Sequence, residues 1–302
     1  MDWIKKNRTS LILVLLFIIG AGLILYPTFS DWWNSFHQSR AISSYMDSVA
    51  SLDTAVYDQI ISEAEAYNRE LAEVETRWKM TDAQKAKYES VLRIDDTGIM
   101  GYVTIPKISV MLPIYHGTDE AVLNVAIGHL ADPSLPVGGA GSHCVISGHR
   151  GLPSARLFTD LDKLVEGDTF TLTALNKTMT YEVDQIRTVV PTDLSALNIE
   201  PDKDYCTLMT CTPYGINPHR LLVRGLRVDN PNGDADVIAD AIQLEPVYIA
   251  PFIAVPVLLA MMIGVFVITG RRRRKHEAAV AEDQRILELA GLSPEAEELA
   301  QQ

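Results

Sequence analysis

Basic side chains are scarce in this sequence, which has 26 Lys and Arg residues against 39 Asp and Glu residues and a net charge of −13. Nucleic-acid binding needs clustered positive charge, because contacts to phosphates supply much of the affinity. The dense basic run at residues 271–275 directly follows an apolar segment. A membrane-topology signal is the better interpretation there, and we expect no nucleic-acid partner.

Charge is absent from two long stretches, residues 9–27 and 246–270. At about 1.5 Å per residue, the first can only just cross a hydrocarbon core of about 30 Å, and the second is longer. No clear small-x-small cleavage site follows the first stretch, which favours an uncleaved signal anchor over a cleaved signal peptide. Two transmembrane helices then follow, and the positive-inside rule predicts residues 1–8 and 271–302 in the cytoplasm and about residues 31–245 outside.

Cysteine is also rare, since the chain has only Cys144, Cys206 and Cys211. No Cys/His spacing fits a zinc site, so we predict no metal and no other cofactor. All three lie in the predicted extracytoplasmic part, where an odd number leaves at least one thiol unpaired or shared with another chain.

The pattern of apolar and turn residues changes along the predicted extracytoplasmic part. Apolar residues recur every three or four positions over 31–95, which predicts two amphipathic helices. Residues 96–230 alternate short apolar or β-branched runs with turn residues, which predicts a mainly β fold, a barrel or a sandwich. Residues 231–245 form a turn-rich linker, and 271–302 are a basic stop followed by an acidic tail. The predicted strands are 99–105, 110–115, 143–147, 169–175, 179–190, 205–211 and 221–228.

Two predicted strands bring a thiol and a guanidinium together. Cys211 closes one strand and Arg220 opens the next, nine residues later, with a loop that contains Pro and Gly between them. The two residues should therefore lie at the same end of an antiparallel pair. There Arg220 could donate hydrogen bonds to a developing oxyanion without losing its own proton.

A cysteine nucleophile also needs a proton partner. Among the external histidines, only His149 follows a predicted strand and is flanked by glycines, in Gly148-His149-Arg150-Gly151. Glycine lets the backbone turn sharply and bring the ring close to a neighbour. A thiol and an imidazole placed together can share one proton near neutral pH.

Several motifs in this order resemble the sortase family. Residues 207–225 read TLMTCTPYGINPHRLLVRG, which is similar to the TLxTC…R signature and in particular to class C, pilus-assembling sortases. The runs GYVTIPKI, LPIYHG and SGHRGLPSA, at 101–108, 112–117 and 147–155, resemble the same family. The resemblance covers about residues 98–228.

The resemblance implies a closed eight-stranded β-barrel whose catalytic residues are His149, Cys211 and Arg220. It implies attack by Cys211 on an LPxTG-like sorting signal of a pilin or surface protein, and resolution of the thioacyl enzyme by an amine, a pilin lysine for class C. A sortase that anchors surface proteins to peptidoglycan stays an alternative. A wall-anchored structural protein would need LPxTG before its last apolar segment, where this chain has Leu244-Glu245-Pro246.

One feature departs from class C, whose members commonly carry an Asp-Pro-Trp or Asp-Pro-Phe lid over the cysteine. Here Trp78 lies near the expected place, but Thr76 and Arg77 precede it. Trp78 is therefore either a lid without the usual carboxylate or a helix-packing residue. In the sortase barrel the strands of Cys144 and Cys206 should be parallel neighbours, where disulfide geometry is poor, so two free thiols are the preferred prediction.

Overall fold

The computed structural model describes residues 8–74 and 78–230, together with residues 264, 267, 270–272 and 274–286, which are helical. The predicted linker 231–245, most of the predicted second span and the end of the tail lie outside these residues. The chain divides into two compact units, one formed by its two ends and one, Tyr26–Gln243, that holds a β-barrel.

The chain begins with three helices. They are α1 (Arg8–Ala50), α2 (Thr54–Ala72) and α3 (Asp82–Ser90), and a single turn, α4 (Glu120–Leu123), follows later. The expectation of two helices over 31–95 was wrong by one, because α3 was not predicted. Thr81 and Gln84 form a capping box at the start of α3, in which each side chain accepts a hydrogen bond from the other residue's backbone N–H.

Helix α1 runs without a break from the apolar N-terminal run into the first helix predicted within residues 31–95, and it contains Pro27. Within the described residues, its segment Ile12–Ala50 alone has the length and apolar character to cross a membrane, with a hydropathy of 2.5. The end of α1 packs on the barrel, where the Tyr45 hydroxyl donates to Met100 O (2.9 Å) and accepts from Leu175 N (2.7 Å).

Eight strands close into a barrel in the order β1-β2-β3-β4-β7-β8-β6-β5, and β5 pairs with β1. The pairs β2/β3 and β4/β7 are parallel, and the other pairs are antiparallel. The strands are β1 (Ile99–Ile105), β2 (Val110–His116), β3 (Ile127–His129), β4 (Ser142–Ser147), β5 (Thr169–Ala174), β6 (Lys177–Val189), β7 (Asp204–Thr212) and β8 (His219–Val228).

The barrel interior follows from the two-residue period of the strands. Cys206 and Leu208 of β7, and Leu221 and Val223 of β8, point into the buried core. The residues between them therefore face outward. The strands β4, β7 and β8 lie side by side, so their outer faces and their ends form one continuous surface.

Candidate active site

Cys211 and Arg220 lie directly opposite each other on neighbouring antiparallel strands. Both face outward, because Thr210 and Leu221, the adjacent residues, are buried. Directly opposed residues of such a pair have Cβ atoms about 4.5–5.5 Å apart. Cys211 is partly exposed, unlike the two other cysteines. A guanidinium is thus held beside an accessible thiol at one rim of the barrel.

The Arg220 guanidinium forms no ion pair with a carboxylate of the described residues. Its Nη1 donates weakly to two nearby carbonyls, Asn217 O (3.4 Å) and His219 O (3.2 Å). The remaining N–H groups can therefore donate to a bound substrate, which is what an oxyanion stabiliser needs.

The loop of His149 leaves strand β4, which lies beside β7 on the side opposite to β8. Strand β4 runs parallel to β7 and ends with Ser147 opposite Met209, and the Gly148 N–H donates to Met209 O (3.1 Å). His149 is the next residue of this loop, so its backbone lies near the end of β7 that carries Cys211.

The loop of His149 is fixed from both sides. The buried Thr210 hydroxyl donates to Gly148 O (2.8 Å), and the Phe158 N–H donates to His149 O (3.2 Å). A Cβ added at Gly148 would lie 2.8 Å from both Ile127 Cγ2 and Phe158 Cδ2. Glycine is required here for close packing. Sequence reasoning did not identify this contact of Thr210, because its partner Gly148 lies on a distant segment of the chain.

Trp78 packs on the outward face of the same strands. It lies half-buried against the cluster of Val145, Leu197 and Leu222, which Met209 also joins. Met209 is two residues before Cys211 on β7, and Leu222 is two residues after Arg220 on β8. The indole is therefore close to the strand ends that carry Cys211 and Arg220. Residues 75–77, which precede it, lie outside the described part of the chain.

Cys144 and Cys206 face each other in the barrel core, since β4 and β7 pair them directly. Their strands are parallel neighbours, as the resemblance implied. Both cysteines are buried and no disulfide joins them, so both are free thiols. Burial raises the pKa of the Cys144 thiol well above its usual value, which keeps it protonated and unreactive.

The other barrel histidines make structural contacts. His116 bonds to Val91 O (2.9 Å), and His143 bonds to Asn198 O and Thr207 Oγ1 (2.8 and 2.7 Å). His129 is fully buried between Ser134 O and the Tyr88 hydroxyl. No cluster of three possible metal ligands occurs among the described residues. A cavity of about 560 Å³ lies elsewhere, between the α1–α2 turn and the β5–β6 hairpin.

Residues 103–228 match the sortase domain family. The structure of sortase C1 from Streptococcus agalactiae is 56% identical, with a TM-score of 0.62, and the match covers 63% of this chain and 99% of that one. The structure of Clostridium perfringens sortase C with the C-terminal cell wall sorting motif is 41% identical, with a TM-score of 0.57, over 64% of this chain and 100% of that one. Sortase D of Bacillus subtilis is 29% identical over 174 residues, 57% of this chain and 84% of that protein.

A closed eight-stranded barrel with a thiol at its rim is the architecture of a cysteine transpeptidase. The chain belongs to the sortase family, and its structural neighbours are class C sortases.

Proposed function

We propose that the protein cleaves an LPxTG-like sorting signal between Thr and Gly and transfers the acyl group to an amine. The observation that carries this proposal is the direct pairing of Cys211 with Arg220 across β7 and β8, beside a loop with His149 that is hydrogen-bonded to the end of β7. A thiol, a guanidinium and an imidazole would supply the nucleophile, the oxyanion donor and the proton partner of an acyl transfer.

The reaction has two halves. The Cys211 thiolate attacks the Thr carbonyl carbon while Arg220 donates hydrogen bonds to the oxygen that becomes negative. The C–N bond then breaks, His149 gives its proton to the leaving glycine amine, and a thioester remains on Cys211. An incoming amine attacks the thioester, His149 takes the amine's proton, and the thiolate returns.

The amine is, in our proposal, a lysine of a pilin subunit, so that the enzyme polymerises pilins. The likeness to class C sortases supports this choice over peptidoglycan anchoring, and the sorting motif in the C. perfringens neighbour supports the substrate class. Purified pilin incubated with the full-length enzyme should give a ladder of covalent multimers that Cys211→Ala abolishes. A single adduct with a peptidoglycan amine and no ladder would favour the anchoring alternative.

We also propose that residues 9–27 and 246–270 both span the cell membrane, with the barrel outside and both termini in the cytoplasm. The apolar helix at the N-terminus and the basic residues at 271–275 support this topology. Protease added to intact cells should remove an epitope inserted in the barrel and spare one at residue 302. Loss of the C-terminal epitope would refute the second span.

Trp78 is proposed to shield the groove beside Cys211. Its half-buried side chain packs against a cluster that includes Leu222, two residues after Arg220 on β8. Trp78→Ala should raise the rate of Cys211 alkylation by a thiol reagent, whereas Trp78→Phe, which keeps a ring, should change it little. An unchanged rate in Trp78→Ala, with the protein still folded, would leave Trp78 as a packing residue.

A further inference from the structure

Arg150 follows His149 in the chain, but its side chain is turned into the protein and is only 9% exposed. Its Nη2 is paired with Asp162 Oδ2 at 2.5 Å, and its Nη1 donates to Thr212 Oγ1 at 3.3 Å. Thr212 is the residue directly after Cys211. One guanidinium therefore joins the loop of His149 to the strand end of the nucleophile.

A second contact joins the same two segments. The Arg150 guanidinium lies 5.9 Å from the ring centroid of Tyr214, which belongs to the loop after Cys211. The Tyr214 ring lies so close to Gly151 that an added Cβ would be 2.8 Å from Cε2. Gly151 also has a φ of +77°, which other residues adopt only with strain. The loop around His149 and the loop after Cys211 thus pack directly on each other.

These contacts lie on the far side of His149 from those of Gly148. Before the histidine, Gly148 is hydrogen-bonded to Met209 and Thr210 of β7. After it, Arg150 is hydrogen-bonded to Thr212, the last residue of the same strand. His149 is consequently bracketed by contacts to the strand that carries Cys211, which limits how far its backbone can move from that strand end.

Stability alone does not account for this arginine. Its Nε is buried and has no hydrogen-bond partner among the described residues. A buried donor without a partner destabilises the fold, and an ion pair with a partly exposed carboxylate such as Asp162 adds little stability. The planar guanidinium contacts the Asp162 carboxylate, the Thr212 hydroxyl and the Tyr214 ring, so it is suited to fixing the relative positions of their loops.

We propose that Arg150 is a positioning residue that holds the loop of His149 in register with Cys211 through Asp162, Thr212 and Tyr214. The proposal rests on the function proposed above, since it assigns Arg150 to the same acyl transfer. Arg150 acts through His149 and the strand end, and it does not touch the scissile amide. A displacement of about 1 Å between reacting groups can lower a rate about 100-fold.

The test compares kcat and KM for cleavage of an LPxTG peptide by the full-length enzyme in detergent. Arg150→Met keeps the length of the side chain, and we expect kcat to fall about 10- to 100-fold with KM changed less than about twofold. Arg150→Lys should recover part of kcat, because lysine restores the positive charge but not the planar set of N–H donors of the guanidinium.

Arg224→Met is the matched control. Arg224 is also largely buried (16% exposed), is paired with Asp184 at 2.6 Å and lies 4.0 Å from the ring centroid of Tyr205, away from the rim. Arg224→Met should lower the melting temperature about as much as Arg150→Met does, and it should leave kcat nearly unchanged. Equal losses of kcat in the two variants would reduce Arg150 to a structural ion pair and overturn the proposal.

Two milder variants keep the test decisive if Arg150→Met does not fold. Asp162→Asn and Thr212→Val alter partly exposed partners of Arg150, and each should lower kcat with little effect on KM. Unchanged kcat in both would refute the positioning role. If the wild-type enzyme forms no thioacyl adduct with the peptide, the proposed function itself is refuted. If wild type and Arg150→Met cleave the peptide with equal kcat, only the positioning role of Arg150 is refuted.

Discussion

Gly148→Ala should damage the site although it replaces none of the proposed catalytic side chains. The new methyl group would lie 2.8 Å from Ile127 Cγ2 and from Phe158 Cδ2, where carbon atoms prefer about 3.5–4.0 Å. Relief therefore needs a movement of about 1 Å by the glycine backbone or by two fully buried side chains. Overpacking of this kind costs about 1–3 kcal/mol.

The backbone is the part that can move most easily, because it leads into the loop of His149. A shift of about 1 Å would lower kcat for peptide cleavage about 100-fold, and the melting temperature would fall by about 2–12 °C. The assay measures kcat and thermal unfolding for Gly148→Ala, Phe158→Leu and the double variant.

The double variant makes the test specific. Phe158→Leu removes ring atoms that the new methyl group would strike, so the two substitutions together should be less damaging than the sum of their separate effects, by at least about 0.5 kcal/mol. Wild-type kcat in Gly148→Ala would refute the claim that this close packing sets the position of His149. Additive effects in the double variant would refute the steric explanation.

Three further predictions concern the rest of the barrel. Complete burial lowers the pKa of His129 to about 3, below about 6.5 for an unfolded histidine, so the free energy of unfolding should fall as the pH drops from about 6.5 towards 3, by at most about 1.4 kcal/mol per pH unit. Urea titrations across that range should show a smaller slope for His129→Gln, and an equal slope would contradict the assignment. Thiol counting in the unfolded, unreduced protein should find three free thiols, whereas one would indicate a disulfide. Because Asp31 Oδ1 accepts from Arg156 N (2.7 Å), Asp31→Ala should speed amide exchange at Arg156 but not at Phe158, and equal rates before and after the substitution would contradict that contact.

Much of the barrel could be predicted from its sequence pattern, because seven of the strands are long enough to show apolar or β-branched runs. Strand β3 was missed, since Ile127–His129 has only three residues and cannot show a two-residue period. The closed eight-stranded form came from the family resemblance. Helix α3 was missed although Thr81 and Gln84 have the spacing of a capping box, because its apolar residues are too few to form a stripe.

The site was predictable to the extent that strand ends bring residues together. Cys211 and Arg220 belong to one hairpin, so their proximity follows from local spacing. The place of His149 depends on the parallel pairing of β4 and β7, two strands far apart in sequence, which spacing alone does not specify. Arg150 was not identified, because its partners come from three separate segments and no local pattern links them.

All of the proposed chemistry depends on Cys211 as the nucleophile of an acyl transfer at this rim. Intact-mass spectrometry of the full-length enzyme with an LPxTG peptide, followed by peptide mapping, tests it most directly. We expect a mass increase equal to the peptide's N-terminal acyl part, located on Cys211, lost in Cys211→Ala and retained in Cys206→Ala. An adduct on another residue, or one that persists in Cys211→Ala, would contradict it.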